Sequence, residues 1–229
     1  KTNNVENFKD ETTTELSSAF GYLAKMNFFK VNNKLKNSQY LTPKILFKYS
    51  PHNMRKIDSG RLRYSNLFNL KKFNEFDEIE SGTNLSIGFD YSFKKFNKSF
   101  KDASEKFNLS IGQVINESEN LSKPATSSLD QRFSDVVGES SFKFNDNFKI
   151  NYEFAIDQNY NEFNYNEIGV NLEYGIADFN IDYLEERNHI GNSNYVKSNI
   201  KLKFNDNNEL LFSSKRNLET SSSEFYSLS

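Results

Sequence analysis

The residues able to do chemistry are few and scattered. His52 and His189 fall in stretches that read as loops, and the sequence sets beside neither of them the full partner set that a triad or a metal site requires. Both are therefore expected to be exposed loop histidines. Asp77, Glu78 and Glu80 lie close enough to form a hydrolytic carboxylate pair or a loop calcium site, although a solvated acidic turn is the plainer expectation. Neither a GxGxxG nor a GxxxxGK phosphate loop occurs, and the absence of cysteine rules out disulfides and thiolate metal sites. No catalytic residue, no metal ligand and no cofactor is assigned. One cluster stands apart: Arg55, Lys56, Arg61, Arg63, Lys71 and Lys72 share a polar stretch where they could hold phosphates or carboxylates, arginine in bidentate fashion. The simpler reading of that cluster is a solvated loop.

What must position these groups is a series of strands. From about Leu16 to Phe225, aromatic or aliphatic side chains alternate with Lys, Asn, Ser, Asp or Glu in segments of roughly ten residues, the spacing of transmembrane β-strands. Phe148, Ile150, Tyr152, Phe154 and Ile156 point one way and Lys149, Asn151 and Glu153 the other, because successive side chains leave a strand on opposite faces. The same pattern predicts strands over Thr13–Phe28, Tyr40–Ser50, Leu85–Phe93 and Phe107–Ile115, and further ones around Phe142, Phe148, Val170, Ile181, Ile200 and Leu210. Phe225 opens an eleventh. Phe89, Tyr91, Ile111, Ile150, Phe154, Val170, Leu172, Ile181 and Leu202 are expected to share one convex, lipid-exposed face. Lys44, Lys48, Lys149, Glu153, Glu173 and Asp182 would line a polar cavity on the other.

The connections alternate in length. Tight turns are expected at Asn145–Asn147, Ala177–Asp178 and Asn205–Asn208, where Asn and Asp tolerate left-handed angles, with shorter links at Phe29–Gln39 and Lys94–Glu105. Long excursions at Pro51–Ser81 and Glu117–Glu139 alternate with them, as do polar connections at Asp157–Glu167, Glu185–Asn194 and Asn217–Ser223. Short turns on one side and loops on the other is the habit of outer-membrane barrels. Leu67, Phe68, Leu70, Phe73 and Phe76 form an apolar island expected to fold back over the barrel mouth. The spacing of Leu129, Phe133, Val136 and Val137 predicts a short helical turn.

Composition agrees. A mean hydropathy of −0.76 would suit a soluble protein, but in a barrel only every second residue meets lipid. No run approaches eighteen apolar residues, which excludes a helical span. At 15% aromatic and 26% charged this is not a disordered chain. A net charge of −2 with interspersed signs gives no case for binding nucleic acid. The fold class is all-β, an antiparallel up-and-down meander of about ten strands forming part of a large transmembrane β-barrel. Closure is not predicted, so an open curved sheet is allowed.

Particular residues then bring in a family. Leu41-Thr42-Pro43-Lys44-Ile45-Leu46-Phe47-Lys48-Tyr49-Ser50-Pro51, followed by Asn66-Leu67-Phe68 and Glu80-Ser81-Gly82-Thr83, resembles the carboxy-terminal barrel of the LptD (OstA) lipopolysaccharide-assembly proteins. Phe107-Asn108-Leu109-Ser110-Ile111-Gly112-Gln113 is similar to that family's strand motif, and Ser134-Asp135-Val136-Val137-Gly138 to its loop-exit motif. The resemblance implies a barrel in the Gram-negative cell outer membrane that inserts lipopolysaccharide into the outer leaflet. It also implies a lipoprotein plug of the LptE type inside the barrel, a periplasmic bridge protein, and contact with membrane lipid. On that reading residues 1–229 are one partial barrel domain of a longer exported protein, without its periplasmic domain and its first and last strands. The six basic residues become candidate lipopolysaccharide contacts. A porin or receptor barrel conducting solutes, and a soluble β-domain binding a partner through its aromatic face, are the alternatives.

Overall fold

A computed structural model of the chain describes residues 17–58, 60–73, 79–96, 103–187, 192–205 and 208–228. They form β1 (Phe20–Lys25), β2 (Phe28–Asn32), β3 (Asn37–Ser50), β4 (Gly82–Phe96), β5 (Ala103–Asn116), β6 (Val136–Lys143), β7 (Phe148–Ile156), β8 (Phe163–Tyr174), β9 (Ala177–Glu186), β10 (Ser193–Asn205), β11 (Asn208–Asn217) and β12 (Ser223–Leu228). One four-residue helix, α1 (Tyr64–Leu67), and a 3-10 turn at Ala125–Ser127 interrupt the loops. The twelve strands make one open antiparallel sheet in sequence order from β3 onward, with β1 and β2 both laid along β3. The meander reading is thus borne out.

Twelve strands stand where about ten were expected, and several boundaries move. The first predicted strand is broken: β1 pairs with Lys44–Tyr49 and β2 with Asn37–Leu41. Between them the Met26 amide donates to the Pro43 carbonyl, and the Thr42 hydroxyl donates to the Asn27 side-chain oxygen. The part of that strand before Ser17 lies outside the described residues. The turn expected at Ala177–Asp178 is at Gly175–Ile176 instead, since Tyr174 faces Ala177 across the hairpin. Gly175 has φ +61° and occupies the first central position, where II′ turns take glycine; Asp178 is free to join the ladder.

Register divides the sheet into two faces. Pro43, Phe89, Ile111, Gly138 and Phe154 are cross-strand partners in one row, and Phe148, Leu172, Phe179, Ile200 and Phe212 in another. Both rows lie on the same face, because partners directly opposite share a face and residues two apart along a strand do too. At the short-turn end Phe142 meets Phe144 edge to face and Phe144 stacks on Phe148, with ring centroids 4.4 and 4.9 Å apart. Among the described residues this face carries no covering layer. The buried core lies on the opposite side, where Leu62, Tyr64, Leu67 and Phe73 of the first long loop, with Leu129 of the second, pack on Val114, Val137, Ala155, Tyr165 and Leu184.

Candidate functional site

The first long loop enters the polar face and crosses the strands as a strap. Its Arg61 Nη2 donates to Glu186 Oε1 of β9 at 2.5 Å, and the guanidinium lies 4.2 Å from the centre of the Tyr165 ring of β8. Arg63 reaches Glu153 of β7 at 3.2 Å. The Tyr64 hydroxyl donates to Asp90 of β4 at 2.5 Å, which also pairs with Lys44 and accepts from the Ser110 hydroxyl at 2.9 Å. Leu67, wholly buried, sits over Gly112 of β5, and Leu70 over Gly21 of β1. The helical turn α1 forms between these anchors, with the Arg63 amide donating to the Asn66 side chain. The second long loop backs the strap: the Leu62 amide donates to the Ser127 hydroxyl, and the hydroxyls of Thr126 and Ser127 donate to the Gly60 carbonyl.

Glu80 latches the far end of the strap. Its Oε2 accepts from Lys48 Nζ at 2.6 Å, and its Oε1 from the amides of Lys72 and Phe73 at 2.8 and 3.2 Å. Lys72 Nζ donates to the carbonyls of Leu67 and Asn69, satisfying the end of α1. Burial, reinforced by repulsion from Lys48 and Lys123 and opposed by Glu80, lowers the Lys72 ammonium to about 7. Burial likewise lowers Lys123, whose Nζ donates to the Asn116 side chain, to about 8.

Beyond the strap the polar face is open. Toward the short turns it forms a cavity of about 830 Å³ lined by Glu105, Asn108, Lys143, Lys149, Asn151, Asn171 and Glu173, among others. Higher up, Glu139, Glu153 and Glu167 are direct cross-strand partners. Such like charges repel unless compensated, and here Arg63 pairs with Glu153 and the Tyr165 hydroxyl donates to Glu167. A sheet with an uncovered apolar face on one side and a charged, loop-filled face on the other is built to stand between lipid and an aqueous lumen. The model of the family LptD, LPS transport system D, matches residues 1–217.

The chain belongs to the LptD family. It is an outer-membrane β-barrel protein of lipopolysaccharide transport, and the family is one of transport and assembly rather than of enzymes. No curated protein matches it. Among solved structures it is similar to two mutant porins of Rh. blastica. One is 7% identical with a TM-score of 0.34, over 90% of this chain and 87% of that one. The other is 8% identical with a TM-score of 0.32, over 93% and 89%.

In this LptD chain the expected site residues separate. Phe89, Tyr91, Ile111, Ile150, Phe154, Val170, Leu172, Ile181 and Leu202 do share one face, and Lys44, Lys48, Lys149, Glu153, Glu173 and Asp182 share the other. The six basic residues are not one outward cluster. Arg55 and Lys56 are exposed, with Lys56 near Asp58 at 2.9 Å. Lys71 is half-buried, Arg61 and Arg63 are turned onto the polar face, and Lys72 is buried. His52 is no exposed loop residue: one ring nitrogen lies 3.1 Å from the Ser50 hydroxyl and the other 2.8 Å from the Ile79 carbonyl. Glu80 is not a solvated turn residue but 2% exposed. His189, Phe76, Asp77 and Glu78 lie outside the described residues. Of the apolar island, Leu67 and Phe73 are buried against the polar face of the sheet, Phe68 is half-buried and Leu70 is exposed, whereas Val136 and Val137 belong to β6 and the helical turn falls earlier, at Ala125–Ser127. Sequence reading missed Glu186, Asp90, Tyr64, Gly21 and Gly112 as strap contacts. Their only advance signal is the breaks in alternation at Gly21 and Gly112, positions at which a strand gains nothing from glycine.

Proposed function

We propose that this LptD chain is part of the barrel that assembles lipopolysaccharide and inserts it into the outer leaflet of the outer membrane, without a cofactor. The observation that carries the reading is the family match over residues 1–217, and the two-faced sheet supports it. The apolar face, including Phe89, Ile150, Val170 and Leu202, would meet lipid acyl chains. The polar cavity, rich in Asn, Glu and Lys, offers hydrogen-bond partners suited to sugar hydroxyls and phosphates. Of the six basic residues, Arg55 and Lys56 are exposed on the loop and are the ones proposed to meet anionic groups of lipopolysaccharide. A lipoprotein plug of the LptE type would dock in the lumen and a periplasmic bridge protein would deliver the lipid. Residues 1–229 are read as one barrel segment whose two unpaired edges, β1 with β2 and β12, would be covered by further strands.

Depletion of the protein tests this directly. Surface lipopolysaccharide should fall while uptake of small solutes stays unchanged, since a plugged translocator conducts little. Normal surface lipopolysaccharide combined with reduced solute uptake would refute the assembly reading and favour a porin or receptor.

A further inference from the structure

The span of the strap's contacts is the unusual feature of this lumen face. From Arg61 to Leu70 the partners span the sheet from β9 to β1, though not in strict order: Glu186 on β9, Tyr165 on β8, Glu153 on β7, then Asp90 on β4 before Gly112 on β5, and finally Gly21 on β1. Ten residues therefore touch both β9 and β1, with β3 to β8 lying between those two in the sheet. Strands in a meander are otherwise connected only through their neighbours, and a twisted sheet can flex between strands that are far apart in it.

The sheet is shaped to receive these contacts. A Cβ at Gly112 would lie 2.3 Å from Leu67 Cδ2 and 2.6 Å from the Ile87 carbonyl oxygen, and one at Gly21 would lie 2.4 Å from Leu70 Cδ2. Neither glycine has a positive φ, so backbone conformation does not demand glycine at either place. At Gly112 the Ile87 carbonyl of the neighbouring strand leaves no room for a Cβ, and the Leu67 methyl fills the space above; at Gly21 the nearest atom is the Leu70 methyl. At the other end, the arginine pair is partly withdrawn from water, Arg61 at 14% and Glu186 at 7% side-chain exposure. The interior of the strap is closed by Leu62 and Leu67 in the core.

We propose that residues 61–70 are a transverse tie that couples β1 to β9, so that displacing the strap within the lumen is transmitted to both of these distant strands. The tie has two dissimilar ends. One is ionic, Arg61 on Glu186, and the other is apolar, Leu70 on Gly21. Each can be cut by a substitution in the strap that leaves the strands untouched. Material entering the lumen would meet the strap before it met the wall beneath, and lifting it would free both ends together. This goes beyond the assembly reading and holds for any cargo the barrel handles.

Hydrogen–deuterium exchange, followed by mass spectrometry on the full-length protein with its native partners in lipid nanodiscs, tests the coupling. Arg61→Gln cuts the β9 end, and exchange should then rise about tenfold at the far end, in Phe20–Lys25, as well as in the strap itself. Leu70→Gly cuts the β1 end, and exchange should rise about tenfold at Leu184–Glu186. A rise confined to the strap, with the far end within about twofold of wild type in both variants, overturns the tie. So does the absence of any rise in the strap, because the anchors would then not be holding it. The exchange is read without lipopolysaccharide, so failure of the assembly reading leaves its outcome unaffected.

Discussion

Replacing Glu80 with alanine should be among the most damaging single changes in the described part of this chain. The Lys48 side chain is 0% exposed and Glu80 3%, so the variant leaves an ammonium without its counter-ion in a site that water does not reach. Breaking a buried pair from one side costs about 3 to 5 kcal/mol, because the remaining charge keeps its desolvation penalty. The amides of Lys72 and Phe73 lose their acceptor as well, at about 1 to 3 kcal/mol for a buried donor left unpaired, a cost that overlaps with the first rather than adding to it in full. The double variant Lys48→Met, Glu80→Ala removes the orphaned charge and leaves only the amide cost. It should therefore be more stable than Glu80→Ala alone by about 2 kcal/mol or more. Equilibrium guanidinium unfolding in detergent or bilayers, completed as a double-mutant cycle with Lys48→Met, measures all three differences. A Glu80→Ala cost below about 1 kcal/mol, or a double variant less stable than the single one, would refute the latch.

The other predictions concern the lipid face and pH. Val170 lies near the middle of β8, paired with Ile150 and Ile181, so Val170→Lys should cost about 2 to 4 kcal/mol of folding into bilayers. Leu172 lies two residues nearer the short turn, roughly 5 Å closer to that interface, and Leu172→Lys should cost less, about 1 to 3 kcal/mol; a larger penalty at Leu172 than at Val170 would contradict the placement. The unfolded chain keeps Lys72 protonated up to its ordinary value, while the folded chain releases that proton at about 7. The unfolded state therefore binds more protons above pH 7, and stability should rise between pH 7 and 9, by at most about 1.4 kcal/mol per pH unit for this lysine. Lys123, lowered to about 8, adds in the same direction in the upper part of that range. Denaturant titrations of Lys72→Met should show a flatter pH profile than wild type, and an unchanged slope would count against the buried ammonium.

Much of the fold was legible in the residues themselves. A strand's side-chain period is a local property, so Phe148, Ile150, Tyr152 and Phe154 against Lys149, Asn151 and Glu153 announce a strand and its two faces without reference to the rest of the chain. Short polar connections then leave neighbouring strands little choice but to pair as hairpins, which is why the meander and the division of the sheet followed from sequence. The hairpin at Gly175 shows the edge of that legibility. Asp178 and Gly175 are both turn formers, and the choice between them was made by the register of Tyr174 against Ala177.

The site was decided elsewhere. Nothing in the composition of Arg55 to Lys72 says whether a basic stretch faces water or folds onto the sheet. Arg61 finds Glu186 at a separation of 125 residues, Arg63 finds Glu153 at 90, and Lys48 finds Glu80 at 32. Such pairs carry no periodic signature, because they depend on which loop lies over which strands once the sheet exists. Glu80 and His52 look like solvent-facing loop residues in sequence. Glu80 is buried and His52 half-buried because Lys48, with the amides of Lys72 and Phe73, and Ser50 with Ile79 supply the partners that withdrawal from water demands. Alternation along single strands thus determined the sheet and its two faces, whereas burial and charge pairing between distant segments, which exist only in the assembled tertiary structure, decided what fills the lumen.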